Sequence, residues 1–253
     1  LDFGLNGRFG RGRAFLGILV IRFDTLERLG VRVAAMSELS DGDCRLSGDM
    51  GAGPRHSFFE SCGVVPEHVT SGKQVHSACI AAVREADRGR GAIGAMPAFP
   101  NTDGLVTDVP ATPLVIGIAD CVPLFLFDPK RRAIGLVHAG RVGTQDNIAI
   151  AAIEAMLLEY GSVAGNIHAV VGPSAGPDAY EVSEEMAAEF ADRGFPVRGR
   201  CLDLWEANAR QLESCGVPRA QIAISGICTI TSGRFHSHRA HGNGARNLAL
   251  LML

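Results

Sequence analysis

The sequence predicts an α+β fold in a single domain, and three observations carry that expectation. Short apolar runs rich in β-branched residues are interspersed with amphipathic helical stretches, without the strict alternation of a doubly wound sheet. No clean linker divides the 253 residues; the loosest stretch is Gly89 to Asp103, rich in Gly, Ala and Pro. Hydrophobic residues make up 47% of the chain and charged residues 20%, which supplies a large core and argues against disorder.

The elements follow in order. Arg8, Arg11 and Arg13 precede the apolar run Ala14 to Ile21, which has the outline of a signal peptide. The run is too short for one, Arg22 and Asp24 follow without a small-residue cleavage site, and a bilayer span needs about 20 residues. It reads as a buried strand. Residues 1–35 otherwise carry no assignment and are read as part of the same domain as 36–253. Lys73-Gln-Val-His-Ser77 is strand-like. Leu114–Ile118, Val122–Phe127 and Ala133–His138 are short apolar runs bounded by Pro, Asp-Pro and Gly, which predicts strands buried on both faces. The short polar connection Asp128–Arg132 makes the last two a hairpin.

Asp146 to Tyr160 reads as a helix, with Ile150, Ile153, Leu157 and Tyr160 at helical spacing and Gly161 as its stop. Asn166–Gly172 is a further strand. Ser183 to Arg193 is a helix with Ser183 as N-cap and Glu184 and Glu185 in its first turn. Asp203 to Cys215 is another, with Asp203 and Glu206 at capping-box spacing and Gly216 and Pro218 beyond its end. Gln221–Ser225 and Asn247–Leu253 close the chain as strands.

Composition excludes some functions. With 24 Lys and Arg against 27 Asp and Glu, the net charge is −3, leaving no basic surplus for a nucleic-acid backbone. Aromatics at 6% argue against a base-stacking platform. Seven cysteines, odd in number and widely scattered, do not form a disulfide framework and point to the reducing cytoplasm. No run is long enough for a membrane span. Nothing in the sequence sets an oligomeric state.

Two Gly-rich segments suggest phosphate loops but read better as turns. Gly172-Pro-Ser-Ala-Gly-Pro177 has no following Gly-Lys-Ser/Thr, and its prolines lack the N–H donors of a phosphate cradle. Gly242-Asn-Gly-Ala-Arg-Asn247 lacks the third Gly of a dinucleotide fingerprint. Among eight histidines, His236-Ser-His238 with His241 is the one local cluster. On a strand, His236 and His238 would share a face and could ligate together; the alternative is a polar loop between Gly233 and Gly244. His168, inside a strand, reads as a packed histidine.

His76, Cys121 and His138 lie 45 and 17 positions apart, which matches no local zinc pattern. They share a location at the ends of apolar strands, where sites are assembled. Spacing alone leaves open three unconnected core residues or one three-ligand site.

The segments IADCVPLFLFD and AIGLVHAG, spanning 118–128 and 133–140, resemble the laccase-domain family, formerly called multicopper polyphenol oxidase and associated with purine nucleoside phosphorolysis. KQVHS, NTDGLVT, VGPSAGPDAYEV, LDLWEANARQL, ICT and FHSHR agree in order, and the resemblance runs from about Met36 to the C-terminus. It implies a four-layer αββα sandwich, and one zinc bound by His76, Cys121 and His138. Two imidazoles and one thiolate leave a fourth tetrahedral position open, as in catalytic zinc sites. Gln74, Arg141 and Arg239 lie in or beside matched motifs and are the candidate substrate-binding residues; Asp103 sits in another.

The resemblance implies a zinc-dependent phosphorylase acting on a purine nucleoside and phosphate, with adenosine deamination as a related activity. Three departures bear on substrate and rate. Arg141-Val142-Gly143 stands where the family has Trp-Arg-Gly, Asp178-Ala179 where it often has Cys, and His236 where Tyr is usual. A cysteine hydrolase or amidase is the alternative, with Cys121 as nucleophile, His138 as base and Asp120 orienting a histidine. A zinc-binding protein without activity is another. A four-copper oxidase is disfavoured by a single His-X-His pair, although one copper also suits imidazole and thiolate.

Overall fold

The computed structural model describes residues 20–46, 52–91, 93 and 96–253. The strand expected over Ala14 to Ile21 falls mostly outside them. Strand β1 spans Ile21–Arg22, β2 Val33–Met36, β3 Thr70–Ser71, β4 Ile80–Ala82, β5 Gly104–Thr107 and β6 Leu114–Ile118. The hairpin strands are β7 (Val122–Asp128) and β8 (Ala133–Ala139), followed by β9 (His168–Val171), β10 (Val197–Arg198), β11 (Cys201–Leu202), β12 (Ile222–Ile224) and β13 (Asn247–Met252). The helices are α1 (Asp24–Glu27), α2 (Ala52–Ser61), α3 (Arg141–Gln145), α4 (Ile148–Tyr160), α5 (Glu184–Asp192), α6 (Leu204–Ser214) and α7 (His238–His241).

Two mixed sheets carry the fold, which is α+β as the sequence predicts. One runs β1-β2-β13-β6-β3 and the other β12-β9-β7-β8-β5-β4. Strand periodicity explains how they pack. In β13, Ala249 and Leu251 join a core with Phe125 and Phe127 of β7 and Ile134 and Leu136 of β8, so the two sheets face each other across it. Leu248, Leu250 and Met252 point the other way, onto Phe58 and Phe59 of α2. The opposite parity of β7 and β8, Leu124, Leu126 and Val137, packs under Ile148, Ile153 and Met156 of α4 and Leu212 of α6. Every residue of β7, β8 and β13 is buried, which is why these runs read as continuously apolar.

The caps behave largely as the sequence dictates. Ser183 Oγ accepts the Met186 N–H, and Asp203 Oδ1 accepts the Glu206 N–H. The box at α6 is not completed: the Glu206 carboxylate binds Arg210 and Arg219 instead. The helix expected from Asp146 begins at Ile148, because Asn147 is left-handed at φ 63° and separates it from the short α3. Lys73–Ser77, expected as a strand, is a loop.

Candidate active site

Two crossovers between the sheets assemble the site. The loop from β3 to β4 carries His76, and the turn from β6 to β7 carries Asp120 and Cys121; each passes from the five-stranded sheet to the six-stranded one. His138 lies on β8 opposite Pro123, with the parity of Ile134 and Leu136, so it faces the gap between the sheets. The result is that ligand atoms of His76, Cys121 and His138 all lie within 4.8 Å of one another. The imidazoles meet edge to face, with ring centroids 5.0 Å apart.

One buried carboxylate holds two of the three. Asp103 Oδ1 accepts from the His76 N–H at 2.9 Å and from His138 Nδ1 at 2.9 Å. Its Oδ2 accepts from the Val75 and Ser77 amides at 3.1 and 2.8 Å and from the Ser77 hydroxyl at 2.8 Å. These amides therefore bind a side chain rather than a ladder, which is why 73–77 is a loop and why His76 is stable at φ 65°. With Nδ1–H committed to Asp103, His138 presents Nε2 toward the other two side chains.

Asp120 is also left-handed, at φ 82°. Its carboxylate accepts from Thr229 Oγ1 at 2.6 Å and the Arg239 N–H at 2.8 Å, and its carbonyl accepts from the Ala175 N–H. It pins the turn that aims Cys121, and the histidine-orienting role expected of it falls to Asp103. Gly140 closes the arrangement from behind: a Cβ there would lie 3.0 Å from His76 Cδ2 and 3.1 Å from Cys121 Sγ. Only glycine leaves the two side chains where they are.

The electrostatics favour an ionised pair. Burial alone would raise the Cys121 thiol, but His138 and His76 beside it pull it below the ordinary thiol range. Burial would lower His138, yet Cys121 and Asp103 hold its imidazole up. The Asp103 carboxyl, which burial would raise, is kept well below the usual carboxylate range by His138, Ser77 and Val75. Cys44 shows what burial does without such neighbours: its thiol is pushed up to about 12.

Two cavities meet at these side chains: His76 and Cys121 line both, and His138 lines the larger. The larger, about 790 Å³, is lined by Gln74, Lys73, Arg45 and Arg246 beside the triad. The smaller, about 390 Å³, is lined by His76, Cys121, Arg141, Tyr180, His238 and Arg239. Gln74 borders the larger cavity, but its amide is engaged: Nε2 donates to the Gly117 carbonyl and Oε1 accepts the Gly117 N–H. Arg141 donates to Gln145 Oε1 at 2.9 Å. Arg239 donates to the Glu181 carbonyl and lies 4.9 Å over the Tyr180 ring, and no carboxylate among the described residues pairs with its guanidinium. Sequence reasoning singled out neither Tyr180 nor Arg246 for the site.

His236 and His238 do not share a strand face. His236 is buried in a loop with Nε2 at 3.0 Å from the Gly42 carbonyl, while His238 is exposed at the start of α7. The polar-loop reading holds for His236 only, since His238 and His241 belong to α7. Gly172–Pro177 is a loop in which Ser174 bridges to Cys228 and Pro177 opens a turn, and Gly242–Arg246 is a loop that leads into β13 at Asn247.

A family model described as multi-copper polyphenol oxidoreductase laccase matches residues 52–253. The purine nucleoside phosphorylase YlmD of Geobacillus stearothermophilus is 35% identical over 191 residues, 71% of this chain and 70% of that protein. An adenosine deaminase RL5 from an unknown prokaryotic organism is 32% identical over 177 residues, 66% of this chain and 67% of its own length. The crystal structure of YlmD from Geobacillus stearothermophilus matches with a TM-score of 0.85 at 28% identity, covering 96% of this chain and 98% of that one.

Proposed function

The chain belongs to the multi-copper polyphenol oxidoreductase laccase family, and from that premise we propose that it is a purine nucleoside phosphorylase with zinc held by His76, Cys121 and His138. The observation that carries this reading is the convergence of two imidazoles and a depressed thiol where two cavities meet. That donor set suits zinc with one position open; it also suits a single copper, which is the alternative occupant. Zinc bound there would supply a Lewis acid or an activated water.

The residues around it divide the substrates. Among the described residues the guanidinium groups of Arg141 and Arg239 have no carboxylate partner, and both line the smaller cavity, which suits phosphate; the larger cavity has room for the nucleoside. Gln74 acts at one remove, tying its loop to Gly117. In the reaction a phosphate oxygen bonds to the sugar C1′ as the C1′–N9 bond breaks, and the electron pair leaves with the purine, which takes up a proton. Water attacking the purine ring, with loss of ammonia, would be the adenosine deaminase reaction named for RL5. Seven unpaired thiols suit the cytoplasm, and no helix among the described residues is long and apolar enough to cross a membrane.

A second reading has one observation in its favour. Cys121, His138 and Asp103 form a thiolate–imidazole–carboxylate chain of the kind that activates a cysteine nucleophile, with His138 as base. His76 has no task in that chain.

The test supplies inosine to the purified protein with and without phosphate. Phosphate-dependent release of hypoxanthine and ribose 1-phosphate, abolished by chelation, is the expected result. Amide hydrolysis that chelation enhances would instead favour the cysteine hydrolase.

A further inference from the structure

A third cavity, of about 420 Å³, shares no lining residue with the two at the triad. It lies behind the small triad cavity, across the start of α6: Leu204 lines the one and Trp205 the other. Its chemistry differs from that of the triad cavities in two respects.

The first is a fixed aromatic wall. Trp205 is half-buried, and its Nε1–H donates to Ser174 Oγ at 2.6 Å, which sets the plane of the indole. Gly176 packs close to the ring: a Cβ there would lie 3.3 Å from Cη2 and 3.1 Å from Cys228 Sγ. Pro177 and Ile224 add apolar surface. A rigid indole in a concave pocket recognises flat rings, because stacking there costs little side-chain entropy.

The second is that the cation lining it, Arg198, is already paired. Arg198 is forked between Asp178 and Asp203, at 3.1 and 3.2 Å. Glu206 binds Arg210 and Arg219. Among the described residues that line it, no guanidinium stands without a carboxylate, in contrast to Arg141 and Arg239 at the triad. Asp178 keeps a second carboxylate oxygen with no partner among the described residues, an acceptor for a ring or amino N–H.

We propose that this cavity is a second small-molecule site, for a neutral planar heteroaromatic ligand that carries N–H donors: a nucleobase or nucleoside rather than a nucleotide. It does not depend on the reaction assigned to the triad.

Trp205 is the sole tryptophan of the chain, so its emission reports the site directly. The metal-loaded protein, in phosphate-free buffer, is titrated with hypoxanthine, inosine and inosine monophosphate, and so is its His76→Ala variant. Saturable quenching by the base or the nucleoside is expected, unchanged in His76→Ala and at least about tenfold weaker with the monophosphate. The base and nucleoside arms show which of the two is held. Ile224→Phe, checked for folding by circular dichroism, narrows the cavity and should raise the dissociation constant about tenfold. Three results would overturn the proposal: no quenching by either neutral ligand, quenching that disappears in His76→Ala, or quenching as strong with the monophosphate.

Discussion

Asp103 does more for the site than its place in the sequence suggests. It is fully buried and receives five hydrogen bonds from the His76 loop and His138. Asp103→Asn keeps the shape but turns an amide NH₂ toward donors, and should cost about 3 kcal/mol of stability in urea unfolding. Metal affinity, read by competition with a chelator, should fall between about 10- and 100-fold. The pH dependence has a definite sign. The folded carboxyl is held below its unfolded value, so the stabilisation is complete above about pH 4 and drains away as the pH falls through lower values. The stability gap between wild type and Asp103→Asn should therefore close on acidification; a gap that widens would contradict this account. Gly140→Ala tests the packing behind the ligands. Its methyl group would displace His76 or Cys121, so metal affinity should drop while unfolding changes by only about 1–2 kcal/mol.

At the scale of elements, local chemistry decides the caps. Ser183→Ala removes the acceptor for the Met186 N–H and should cost about 1 kcal/mol without changing turnover, measured by thermal unfolding and initial rates. The same locality explains what the sequence revealed. The strands β7, β8 and β13 and the helices α5 and α6 were legible because burial on both faces and capping residues leave their signature within a few positions. The loop at 73–77 was not, because what bends it is Asp103, 26 to 28 positions away. Asn147 broke the expected start of α4 because a left-handed residue between two helical turns leaves the apolar spacing intact. Spacing could not reveal the triad either: its members meet only when two crossovers and the end of β8 come together. What made it legible was the ordered set of family motifs, and these contain neither Tyr180's stacking under Arg239 nor the engaged amide of Gln74.

In the whole molecule, the core between the sheets sets the precision of the site, since His76 and Cys121 sit on crossovers spanning that gap and His138 faces into it. Phe125 fills the gap, its ring centroid 4.5 Å from that of Phe23. Phe125→Ala should lower stability by about 3–5 kcal/mol, seen as an earlier denaturation midpoint. It should also loosen the metal, because the two sheets position the ligands jointly; a destabilised variant that binds metal as tightly as before would show the site to be independent of the core. The central claim is that His76, Cys121 and His138 act together as one metal centre. Elemental analysis of the purified protein beside His76→Ala tests it most directly. The account predicts about one zinc per chain in the wild type and almost none in the variant. Zinc absent from both, or equal in both, would contradict it.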